Sequence, residues 1–164
     1  MKSKEYNIIV DKHADGLYRF ILSNIKDEFK AQDIVQDSFE RLWINHESVD
    51  FTKAKSLLFK IAYNRMIDII RRDKRITNSD EITNRHADSN FDYQQLELRE
   101  IINNALEKLN DIQRSVILLR DYEGYTYEEI GEITELSESQ VKVYIFRARQ
   151  HLKNYIGKFE EVIK

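Results

Sequence analysis

The chain is 164 residues long, with 26 Lys and Arg against 29 Asp and Glu for a formal charge of −3, no Cys, no Pro and only four Gly. That length holds one ordinary domain or two small ones, and the lack of Cys excludes a disulfide framework, a thiolate metal site and a cysteine nucleophile. So few helix breakers point to an all-α protein, and no stretch approaches the roughly 18 apolar residues of a membrane helix.

The opening MKSKEYNIIVDK has no long apolar run and is no secretory signal, so the chain reads as soluble and cytoplasmic. The first expected helix is DGLYRFILSNI, residues 15–25, following an Asp. In AQDIVQDSFERLWINH, Ala31, Ile34, Val35, Phe39, Leu42 and Trp43 recur at helical spacing. The opposite face of that helix shows Asp33, Gln36, Asp37, Glu40 and Arg41. A loop around residues 47–52 then leads into a long helix, KAKSLLFKIAYNRMIDIIRRDKR.

On the long helix Leu58, Ile61, Ala62, Met66, Ile69 and Ile70 are expected to face inward. Lys60, Asn64, Arg71 and Arg75 follow at spacings of four, seven and four, so they share one side, with Asp68 and Arg72 adjacent. Residues 51–75 hold eight bases against two acids, a local charge of +6. Cations with an amide among them suit phosphate contact and base-edge reading; a solvated helix face is the plain alternative. Trp43 and Phe59 are expected in the core rather than as platforms for unpaired bases.

Residues 76–95, ITNSDEITNRHADSNFDYQQ, are polar and lack helical periodicity. They read as a flexible linker that divides the chain into domains at 1–75 and 96–164. Beyond it LELREIINNALEKL and DIQRSVILLRDYE are helical, and two more helix starts follow. Thr126 with Glu129, and Ser137 with Gln140, each fit a capping box, and the two starts lie 11 residues apart. One helix of about two turns, a tight turn at Glu135 and Leu136, and a longer helix make a helix-turn-helix.

Charge is sharply sorted there. Residues 121–138 carry seven acids and no Lys or Arg, and residues 139–158 carry five bases and no acid. Val141, Ile145, Ala148, Leu152 and Ile156 form an inward stripe expected to pack on Ile130 and Ile133. The remaining faces present Ser139, Gln140, Lys142, Val143, Phe146, Arg147, Arg149 and Gln150. Such a set can reach phosphates, guanine and adenine edges and a thymine methyl. Acids upstream suit the helix N-terminus and stay clear of the phosphates. One such module reads only a few bases at about 1–3 kcal/mol each, so two on a tether gain from effective concentration. A flexible linker of 20 residues spans about 25 Å on average and roughly 66–70 Å at full stretch.

AQDIVQDSFERLW with SLLFKIAYNRMIDIIRRDKR resembles region 2 of the extracytoplasmic-function (ECF) sigma factors. LNDIQRSVILLRDYEGYTYEEIGEITELSESQVKVYIFRARQHL resembles their region 4. The resemblance implies a sigma subunit made of two small helical domains that binds core RNA polymerase and directs promoter-specific initiation. It implies docking on the clamp helices of the largest catalytic subunit through Asp33, Gln36, Asp37 and Arg41. It implies capture and melting of the −10 element by Lys60, Asn64, Arg65, Asp68, Arg71 and Arg72, with the loop at residues 45–52 as the pocket for an extruded base. The −35 element falls to Ser139, Gln140, Lys142, Val143, Phe146, Arg147 and Arg149. A membrane-associated anti-sigma factor is a further implied partner; no cofactor, metal or small-molecule substrate is expected. The chain departs from the family at Asn110 and Asp111, where Pro is frequent, at Glu135, where Gly is common in the turn, and at Val143, where a smaller residue is usual.

Two other readings compete. An ordinary helix-turn-helix regulator with an N-terminal sensor domain would bind duplex DNA tightly on its own. A helical interaction protein with a basic helix would give no promoter-dependent activity. No constellation of residues supports an enzyme: Asp33, Asp37 and Glu40 lie on an amphipathic helix without His or Cys nearby.

Overall fold

The computed structural model describes residues 1–77 and 93–163. Among these residues, seven α-helices run in the order α1 Ser3–Ile25, α2 Glu28–Ile44, α3 Ala54–Thr77, α4 Tyr93–Glu107, α5 Asp111–Ile117, α6 Tyr127–Thr134 and α7 Glu138–Ile163. Among the described residues there is no strand. Two 3-10 turns, His46–Ser48 and Phe51–Lys53, join α2 to α3, and a π-helical turn, Leu118–Tyr122, extends α5. The expected linker falls mostly outside the described residues; its first two residues close α3 and its last three open α4.

Helix α1 begins 12 residues before the Asp15 start expected from sequence. Ile9 is buried with Leu17, Phe20 and Ile21, and the Tyr6 hydroxyl donates to the Phe39 carbonyl at 3.1 Å. Tertiary contact with α2 therefore helps hold about three added turns that carry little local helix signal. Lys26, left-handed at φ 60°, ends the helix, and Asp27 caps α2 by accepting from the Lys30 amide at 3.1 Å. Helices α1, α2 and α3 bury Leu17, Phe20, Ile34, Leu42, Leu58 and Met66 between them.

Trp43 departs from expectation. It is 39% exposed, stacks on the His46 ring at 4.1 Å and tilts against Tyr6 at 4.9 Å. Lying on the last turn of α2, it meets the connection to α3 rather than the bundle interior. Phe59 is buried as expected, but on a second apolar face of α3. Its ring meets Tyr125 edge to face at 4.9 Å, and Tyr63, next on that face, is buried too. That face turns toward α6, so one apolar cluster runs from Ile9 to Ala148 through both halves of the chain.

In the second half, Val116, Ile117, Leu119, Ile130, Ile133, Val141, Ile145 and Ala148 form the core. The inward stripe of α7 thus packs as expected over three turns, with Leu152 half-buried. A polar network ties the halves beneath the surface. Arg114, almost fully buried, donates to the Asn24 side-chain oxygen at 3.2 Å and to Asp111 at 2.6 Å, and Ser115 donates to the same Asn24 oxygen at 3.3 Å. Burial pushes the Asp111 carboxyl up, but hydrogen bonds from Lys74 and Arg114 outweigh it and hold the group below the usual carboxylate range.

Candidate nucleic-acid interface

Both expected capping boxes form. Thr126 and Glu129 exchange hydrogen bonds at 3.1 Å each, and Ser137 and Gln140 do so at 3.0 and 3.2 Å. Between α6 and α7, Glu135 is left-handed at φ 60° and ψ 35°. Glycine adopts that conformation without steric cost; a side chain there costs about 1 kcal/mol or more. Gly131 lets the turn close: a Cβ on it would lie 2.8 Å from the Leu136 carbonyl oxygen. The turn aims α7 outward, with all of Ser139, Gln140, Lys142, Val143, Phe146, Arg147 and Arg149 exposed. Val143 and Phe146 are 45% and 62% exposed, so two apolar side chains stand among the polar ones.

The cations of α7 differ in freedom. Arg147 has no ion-pair partner among the described residues. Lys142 lies 3.6 Å from Glu138, and Arg149 makes a two-pronged bond to Asp121 at 2.6 and 3.1 Å. The hydrogen bond to Asp121 raises the Arg149 guanidinium above its ordinary value. Part of the acidic run therefore orients this basic helix, a use the sequence reading did not give it.

On α3, Asn64, Asp68, Arg71 and Arg72 are exposed on one flank. Arg65 is half-buried and turns toward α2, its Nε 3.7 Å from an Asp37 oxygen that also lies 3.3 Å from Arg41. The Arg65 Nε and that Asp37 oxygen are buried without a hydrogen bond. The structure thus brings one residue of the expected −10 set to the expected polymerase set. Asp33, Gln36 and Arg41 are exposed on α2. Beside them, the connection over residues 45–52 is well tied. Asp50 accepts from the Thr52 amide and hydroxyl at 3.0 and 2.9 Å, which holds its carboxyl below the ordinary value. The Met1 ammonium donates to the His46 and Val49 carbonyls at 2.9 Å each.

Lys60 does not share the open flank. Its Nζ lies 3.4 Å from Glu135, in the turn between α6 and α7. Among the described residues, four more ion pairs cross between the halves: Arg19 to Glu123 and Lys55 to Glu129 at 2.8 Å, Lys74 to Asp111 at 2.7 Å and Lys26 to Glu107 at 3.3 Å. In all five the cation belongs to residues 1–77 and the acid to residues 93–163. Lys55 also stands 4.3 Å over the Tyr125 ring. Burial raises the Glu129 carboxyl, yet the bonds from Lys55 and Thr126 prevail and leave it below its ordinary value. Among the described residues no three His, Asp or Glu are placed to hold a metal ion, and no helix is long and apolar enough to cross a membrane.

Comparison with known proteins agrees with this layout. Residues 9–76 match the family model for Sigma-70 region 2, and residues 99–152 match that for Sigma-70, region 4. The chain is 33% identical over 148 residues to the ECF RNA polymerase sigma factor SigM of Bacillus subtilis (strain 168), covering 88% of this chain and 91% of that protein. Among solved structures, the sigma factor RpoE in complex with the anti-sigma factor NepR from Bartonella quintana superposes with a TM-score of 0.79 at 26% identity, over 94% of this chain and 98% of that one. CnrH in complex with the cytosolic domain of CnrY gives 0.73 at 26% identity, over 96% and 90% of the two chains.

Proposed function

The chain belongs to the ECF sigma factors, and we propose that it docks on core RNA polymerase through α2 and reads promoters with α3 and α7. Residues 1–75 serve as region 2 and residues 96–164 as region 4. The observation that carries the reading is the outward face of α7. One capping box on α6, one on α7 and the turn between the two helices support a helix whose exposed side holds Gln140, Lys142, Val143, Phe146 and Arg147. That mixture suits the major groove of a −35 element, with Arg147 free to reach a phosphate or a guanine edge. The flank of Asn64, Arg71 and Arg72 suits the backbone of a melted −10 strand. Asp33, Gln36 and Arg41, exposed on α2, with Asp37 beside them, form the docking face for polymerase.

The role is to confer specificity rather than to catalyse, and its place is the cytoplasm, where promoter DNA is. RpoE and CnrH are each seen with a protein that binds them. A comparable anti-sigma factor is a partner of this chain as well, its location at the membrane being the further expectation.

The test is run-off transcription with purified core polymerase on a genomic promoter library, with and without the chain. Promoter-specific transcripts that require it are the expected result. If initiation is no better in its presence, the reading fails. Replacing Asp33 and Gln36 together by Ala is expected to weaken polymerase binding while the chain stays helical.

A further inference from the structure

Among the described residues, the five ion pairs named above all cross the seam in one direction. The acids are Glu107 and Asp111 on α4 and α5, Glu123 before α6, and Glu129 and Glu135 in the helix-turn-helix. The cations are Arg19 and Lys26 on α1 and at its end, and Lys55, Lys60 and Lys74 on α3, the helix that takes the −10 strand. Two of these contacts fall on one stretch of α3, where Lys55 meets Glu129 and Lys60 meets Glu135. Beneath them lies an apolar floor of Phe59 on Tyr125. A helix that must meet phosphates thus has carboxylates seated on its own cations.

Glu135 adds a second, independent observation. It occupies a left-handed position that strains any residue bearing a Cβ and leaves glycine unstrained. A backbone outlier kept against its cost points to a use for the side chain. Here the side chain reaches across the seam to Lys60. Glu129 is divided in a related way: one carboxylate oxygen completes the cap of α6 and the other holds Lys55.

We propose that Glu129 and Glu135 act as internal stand-ins for promoter phosphates, latching α3 against α6 in a closed form that must part before Lys60 and its neighbours can take the −10 strand. The inference rests on the assignment of α3 to the −10 element. Individually these solvent-accessible, partly buried pairs are weak, and salt screens them. Weak pairs suit a latch that nucleic acid or polymerase has to release.

The experiment measures the separation of the halves in the full chain. The sequence has no Cys, so Asn7→Cys on α1 and Asn154→Cys on α7 accept a donor and an acceptor dye at two exposed positions. Closed and open fractions are read by single-molecule energy transfer from about 0.05 to about 1 M salt. The expected result is an open fraction that rises with salt, and that rises about 2- to 5-fold at low salt in Glu135→Gln. Glu135→Gly is expected to open the seam as much while raising the melting temperature, because the turn loses its strain. A merely structural Glu135 would raise the melting temperature without moving the dyes. Glu135→Lys is expected to open the seam further, and adding Lys60→Glu to restore closure. Binding of a single-stranded −10 oligonucleotide is expected to tighten about 2- to 5-fold in Glu135→Gln.

Dye distances in Glu135→Gln and Glu135→Lys that match the unsubstituted chain across the salt range would overturn the latch. The distance measurement uses neither polymerase nor promoter, so that outcome leaves run-off transcription to judge the sigma-factor assignment separately. Conversely, a seam that opens as expected in a chain that directs no transcription would sink the phosphate stand-in while leaving the ion pairs in place.

Discussion

The two basic stretches look alike in sequence and are handled differently by the fold. On α7 the cations face outward, and those that are paired take acids from their own half: Lys142 from Glu138 one turn away, Arg149 from Asp121. On α3, Lys55 and Lys60 are paired across the seam, while Asn64, Arg71 and Arg72 stay open. One basic surface stands open to solvent and the other is partly occupied by acids of the opposite half. Local charge sums measure how many cations a segment holds, and packing measures how many it can offer.

The largest expected effect comes from removing one side of this comparison. Gly131→Ala drives a Cβ against the Leu136 carbonyl oxygen and is expected to destabilise the chain by about 2–3 kcal/mol, read as a lower urea midpoint. Binding of α7 to a −35 duplex should suffer more than polymerase binding by α2. Asn24→Ala acts on the seam instead. It strands the buried Arg114 Nε and the Ser115 hydroxyl, at a cost of about 1–2 kcal/mol in denaturant unfolding. If that variant is as stable as the original, the polar network does not join the halves.

Arg147→Ala and Lys60→Ala compare the open and occupied cations directly. In the free chain Arg147→Ala is expected to weaken duplex binding about tenfold and to lower the salt slope by about one unit, if the contact is to a phosphate. Lys60→Ala should leave free-chain duplex binding nearly unchanged and reduce promoter melting with polymerase. Equal losses in the free chain would mean that Lys60 is as available as Arg147.

Acid provides a gentler probe. Asp111 and Glu129 titrate below their ordinary values of 3.8 and 4.5 in the folded chain. Groups depressed by folding confer stability that is complete above their unfolded values and is lost as pH falls through the folded ones. The urea midpoint is therefore expected to hold from about pH 7 to about pH 5 and to decline below. Lys142→Ala should have the smallest effect, a few tenths of a kcal/mol on stability, because its exposed pair with Glu138 contributes little.

Much of this molecule was legible as sequence because the signals are local. The capping residues Thr126 and Ser137, the 11-residue interval between helix starts and the inward stripe of α7 all act within a few turns of their own helices. So does the left-handed Glu135, whose position in the turn follows from where the caps fall. Tertiary structure decided the rest. The first three turns of α1 depend on α2, Trp43 on the turn that follows it, and the second apolar face of α3 on a segment more than 60 residues away. The seam pairs join residues between 37 and 104 positions apart, a separation at which charge patterning along the chain carries no information about partners. Composition and spacing determined that two cationic helical units exist. Only the packing of one unit on the other determined which cations are free, because an ion pair depends on distance in space and not on distance in sequence.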